Sequence, residues 1–166
     1  MADMTSPFST HQMLILLPGT KNGFVQPAVD FTGDPLLDRE KMAPFISGVP
    51  VCMKDDLTID IADGNLNQVM GLLVYDGAGT SPFDGIGGAD QSGVLTYVYG
   101  LATVQMPTRV LDTAGTFAVG KPVFAGAGAK KGLIVDATPS GVATVIGTVI
   151  SNINAATDGL MIQMAI

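Results

Sequence analysis

His11 and Cys52 are the first side chains to weigh for chemistry, and each occurs once. A thiol beside an imidazole makes a nucleophile and its base, but the pair needs a third group to orient the base. Nothing else in the sequence resembles that arrangement. His11 stands among spaced prolines, with no cluster of metal-ligating residues beside it. The plain readings are a solvated histidine and a small buried hydrophobe in a strand. One cysteine also permits no intramolecular disulfide and no cysteine metal cluster.

The carboxylates Asp55, Asp56, Asp60 and Asp63 fall close together and raise the question of Ca²⁺. An EF-hand loop needs acidic residues at alternate positions, a central Gly and a distal Glu. The sole Glu of the chain is Glu40, so solvated turn carboxylates are the expectation. No pair of acids sits in a recognisable glycosidase context. GIGG at 85–88 and GAGAKKG at 126–132 invite a phosphate-loop reading. Neither has the G-x-x-x-x-G-K-[ST] order, and no helix pattern follows to aim N–H groups at a phosphate. Lys130 and Lys131 are therefore expected at a hairpin tip. No catalytic, cofactor-binding or metal residue is expected, and the chain is not expected to be an enzyme.

The elements behind these residues are strands. Of 166 residues 21 are Gly, and Asp-Gly pairs recur at 63–64, 76–77, 84–85 and 158–159. These are turn signals, whereas solvated helices draw on Glu, Lys and Arg. Leu160, Ile162, Met164 and Ile166 share one face of a final strand, and Met161, Gln163 and Ala165 the other. Further strands are expected over 49–53, 57–61, 69–75, 94–99 and 101–106. Leu133-Ile134-Val135 and 142–150 flank Thr138-Pro139-Ser140-Gly141, which predicts a hairpin. A long Gly-rich loop is expected over 76–93. The count is eight to ten strands, with one or two short helices at most, one of them over 34–42.

Two motifs occur twice. Gly48-Val49-Pro50-Val51 is echoed by Gly120-Lys121-Pro122-Val123, and Val69-Met70-Gly71-Leu72 by Val145-Ile146-Gly147-Thr148. The physical reading is a turn glycine, a proline at a strand start, then a buried strand interrupted by a Gly bulge. A structural duplication and chance recurrence of short apolar motifs both remain open from the sequence.

Residues 1–45 differ from the rest. Pro7, Pro18, Pro27, Pro35 and Pro44 favour an extended path, yet the stretch is rich in Phe and Leu. A disordered linker would be poor in such residues. The expectation is an N-terminal arm over 1–45 lying on a neighbouring subunit or partner, with a β-rich body over 46–166. An irregular first layer on its own domain is the alternative. Phe8, Leu14, Ile15, Leu16, Leu17, Phe24 and Phe31 are the contact residues expected.

Hydrophobic residues make up 47% of the chain, and no apolar run approaches the roughly 20 residues of a membrane helix. The excess must be buried in the core or between subunits. A net charge of −7 without a basic patch argues against nucleic acid as a partner. The stretch at 13–17 is too short for the core of a secretory signal, so the chain is expected to stay in the cytoplasm or join something assembled there.

With these pieces laid out, the chain resembles the bacteriophage capsid decoration (cement) proteins. The likeness is carried by VLTYVYGLATVQMP at 94–107, TAGTFAVGKPVF at 113–124, Ile146-Gly147 and the strand after Asp158-Gly159, with GVPV and VMGLLVYDG upstream. The resemblance implies an all-β body, a small antiparallel barrel or sandwich of β-tulip type with an extended N-terminal arm. It also implies a homotrimer on the outer surface of an icosahedral head, bridging major capsid protein subunits, with no cofactor, nucleic acid or membrane partner. A head-fibre base or tail component is the alternative virion role, and a small β-barrel ligand-binding protein or enzyme the alternative outside it. The long arm and the 76–93 loop depart from the family pattern, so docking details do not carry over.

Overall fold

The computed structural model describes residues 14–15, 21–25, 44–55, 58–74, 76, 95–151 and 159–166. These form eleven strands: β1 Leu14–Ile15, β2 Lys21–Val25, β3 Pro50–Asp55, β4 Thr58–Ile61, β5 Gly71–Leu73, β6 Leu95–Tyr99, β7 Leu101–Met106, β8 Pro122–Ala125, β9 Ile134–Val135, β10 Val145–Ser151 and β11 Leu160–Ala165. Two 3-10 turns, Thr108–Val110 and Gly128–Lys130, are the helical pieces among the described residues.

The strands make two antiparallel sheets. One runs β1-β7-β11-β10-β8-β9 and the other β2-β6-β5-β3-β4. Alternation is clearest in β11, where Leu160, Ile162 and Met164 are fully buried and the residues between them are half-exposed. The inward faces of both sheets join one core, with Val51, Ile59, Leu72 and Val98 from one and Val104, Val123, Ile146 and Ile162 from the other. This is the all-β sandwich of the two architectures expected. No closed barrel forms among the described residues, because each sheet ends on an edge strand that does not pair back.

The hairpin expected across Thr138-Pro139-Ser140-Gly141 does not form. β9 pairs with β8, and β10 pairs with the other edge of β8. The connection 136–144 is a crossover that leans on the second sheet. Asn65 Oδ1 accepts from the Ser140 hydroxyl and the Gly141 N–H, and the Ala143 N–H donates to the Gly64 carbonyl. The turn chemistry was real, but the contact that satisfied it lay far away in sequence. The GAGAKKG stretch is the β8–β9 hairpin connection, so Lys130 and Lys131 do sit at a tip.

The two echoed motifs mark a repeat of the whole architecture. β3, β4, β5 and β6 are ordered 6-5-3-4, and β8, β9, β10 and β11 are ordered 11-10-8-9, with β2 outside β6 as β7 is outside β11. The register repeats as well. Pro50 and Val51 face Leu72 and Gly71, while Pro122 and Val123 face Thr148 and Gly147. The Gly48 N–H donates to the Leu73 carbonyl and the Gly120 N–H to the Val149 carbonyl, both at 2.8 Å. The halves meet at Gly100, whose φ of +90° suits glycine and whose N–H bonds the Ile166 carbonyl.

Both repeat glycines have the same reason to lack a side chain. A Cβ at Gly71 would run into the Tyr97 ring and the Val98 carbonyl, and one at Gly147 into the Gln163 carbonyl and the Met164 Cα. The register slips between Val145 and Gly147, the bulge that the motif suggests.

Candidate functional site

Several of the described aspartates are engaged with backbone N–H groups at and beside turns. Asp63 accepts N–H bonds from Asn65 at 2.9 Å and Gly128 at 3.0 Å, which hold its carboxyl below the usual range. The Lys130 ammonium, at 2.5 Å, does the same for Asp112, helped by the Ala114 N–H. Asp136 receives the Thr116 N–H at 2.7 Å, and Asp60 receives that of Ile61 at the same distance. The Cys52 thiol is buried in β3, and desolvation, with Asp60 nearby, pushes its pKa up. Among the described residues, no three His, Cys, Asp or Glu side chains stand together as a metal site. Asp63 thus braces both its own turn and the β8–β9 connection, and Asp60, in β4, also stands 3.5 Å from the Lys131 ammonium; Asp56 and His11 lie outside the described residues, as do GIGG at 85–88 and the helix expected at 34–42.

Arg109 and Asp76 form the densest polar contact. Arg109 lies on the turn after β7 and reaches Asp76, just beyond β5, through both terminal nitrogens. Asp76 also accepts the Ser47 N–H at 2.7 Å, and the buried Ser47 hydroxyl donates to the Val74 carbonyl at 2.9 Å. This network ties three chain segments together.

The N-terminal contact residues divide in two. Leu14 and Ile15 form β1, in register with Gln105 and Val104 of β7, and Phe24 lies in β2 opposite Thr96 of β6. Strands inside the 1–45 stretch therefore belong to the sheets of this same chain. Phe8, Leu16, Leu17 and Phe31 lie outside the described residues. Reasoning from periodicity missed β1 and β2. The run Phe24-Val25 after Asn22-Gly23 was the signal available.

Large apolar side chains stand out on the surface: Leu66, Leu101, Val119, Val142, Val145 and Ile150 are exposed. No helix among the described residues is long and apolar enough to cross a membrane.

A chain in the solved capsid of Myoviridae phage XM1 superposes on this one with a TM-score of 0.52, over 99% of this chain and 98% of that one, at 16% identity. The likeness is one of fold. No family model matches the sequence, and no curated protein sequence does.

Proposed function

We propose that this chain is a structural virion protein, a decoration protein on the outer surface of an icosahedral phage head. In this reading it bridges major capsid protein subunits, associates with itself as a homotrimer and catalyses no reaction. It is made in the host cytoplasm and ends in the virion. The observation that carries the reading is the fold shared over its whole length with a chain of a phage capsid. The chemistry is in keeping with it. Asp60, Asp63, Asp76, Asp112 and Asp136 bond the chain's own backbone N–H groups, Lys130 or Arg109, and several large apolar side chains are exposed. Holding a shell against outward pressure needs many modest contacts summed by symmetry rather than one strong site.

The test is addition of the purified chain to heads that lack it. Saturable binding, density at fixed positions between capsomers on the outer face, and a higher temperature of head rupture are expected. Heads that neither bind it nor gain stability would overturn the proposal. A chain lacking residues 1–13 keeps β1 and β2, so its lower occupancy on heads would assign docking contacts to the first residues, Phe8 among them.

A further inference from the structure

The structural repeat compares each surface with its counterpart. In the first half, Ser47 and Val74 are buried, at 0% and 8% exposure; their counterparts in the second half, Val119 and Ile150, are exposed at 63% and 42%. The cause is visible at the glycine between them. A Cβ at Gly48 would meet Pro107, Val110 and Met106, whereas one at Gly120 has nothing within 4 Å. The second half covers that end of the first with the turn after β7, whereas among the described residues nothing covers its own matching end.

A second apolar spot lies where the two crossovers meet. Leu66 and Val142 are exposed on the two segments that the bond from the Ala143 N–H to the Gly64 carbonyl joins, and exposed Val145 follows at the start of β10. Val145 begins β10 and Ile150 lies near its end. At about 3.3 Å per residue the two spots stand roughly 17 Å apart along the strand. A twofold contact sets a patch against itself, while a head-to-tail contact joins two different patches and gives a ring where the rotation closes and an open filament where it does not.

We infer that copies of this chain associate head to tail, the Val119–Ile150 end of one seated on the Leu66–Val142 junction of the next. The occupant is a second copy for two reasons. The chain already buries the equivalent end against itself, and it offers exposed apolar surface at two separated places. The inference rests on the oligomer proposed above and names its interface.

The experiment uses full-length protein and measures mass by sedimentation. Wild type is expected as a closed ring of a few copies. Ile150→Asp and Leu66→Asp each break one of the two spots, so each alone is expected as a folded monomer. Their equimolar mixture keeps one intact junction and should give dimers and nothing larger. Val119→Asp and Val142→Asp repeat the test at the same two spots if either first variant melts early. A monomeric wild type, a single variant that keeps the wild-type mass, or a mixture of folded variants that stays monomeric would overturn the inference. Head binding is scored separately: a wild-type monomer that still saturates heads sinks this interface and leaves the decoration reading standing, and a ring that ignores heads does the reverse.

Discussion

Arg109 holds the carboxylate of Asp76 with both terminal guanidinium nitrogens, at 3.0 and 2.5 Å. The pair joins the turn after β7 to the exit of β5, and through the Ser47 N–H to the approach to β3. Both side chains are mostly covered, at 30% and 21% exposure, so water does not readily replace either partner. Asp76→Ala is expected to cost about 1.5–3 kcal/mol, the range for hydrogen bonds to charged groups. Arg109→Lys should recover only part of the contact, because an ammonium cannot make the two-pronged bond. Urea midpoints of the variants check both expectations.

The repeat predicts equal penalties at unequal places in the sequence. Gly71→Ala and Gly147→Ala each drive a methyl into the carbonyl of the neighbouring strand, and each should cost about 1–3 kcal/mol. Gly48 and Gly120 share positive φ, +91° and +82°, but only Gly48 is crowded. Alanine at Gly120 should cost about 1–2 kcal/mol for its conformation alone. The same change at Gly48 should cost more, since packing adds to it. Thermal melts of the four variants, compared in pairs, test the equivalence of the halves.

Ile162 is fully buried in the middle of the larger sheet, facing Val104 on one side and Val149 on the other. Ile162→Ala is expected to lose about 2–5 kcal/mol. Leu101→Ala on the neighbouring strand, where the side chain is 73% exposed, should change stability by less than about 0.5 kcal/mol. Denaturant unfolding of the isolated chain would show the contrast; equal losses would mean that Leu101 is covered in solution.

Asp63 and Asp112 both have folded-state pKa values held below the ordinary range, by backbone N–H bonds in the first case and chiefly by Lys130 in the second. A lowered folded value means that the stabilisation is complete above the unfolded pKa, about 3.9, and is lost as pH falls through the folded one. Stability should therefore be level from neutral pH down to about pH 5 with respect to these groups and decline below it. Asp63→Asn and Asp112→Asn should each be less stable at neutral pH and show a shallower acid decline, read from melting temperatures between pH 7 and pH 3.

Much of the local structure was legible because it depends on neighbours in sequence. The alternation from Leu160 to Ile166 assigned faces to β11 correctly, since a pleated strand puts every second side chain on one side. Glycines at the turn positions 48, 120 and 159 take the positive φ that other residues resist. The prolines of GVPV and GKPV begin β3 and β8, where a missing N–H is tolerated. The likeness of the two motifs was also on view, and it proved to mark a repeat of strand order and register.

The sequence by itself determined where most strands of the 46–166 body run, which of their faces seek the core, and where the chain turns, because those follow from side-chain size, pleat and backbone sterics over a few residues. Tertiary structure alone decided which strand lies beside which. β9 abandons the hairpin with β10 because β8 offers it an edge, and the crossover between them finds its bonds on Asn65 and Gly64 of the other half. It likewise decided that Leu14–Ile15 and Lys21–Val25 complete the two sheets, and that Ser47 is covered while Val119 is bare. Such pairings depend on contacts between residues far apart in the chain, and a strand's pattern states that it needs a partner without stating which one.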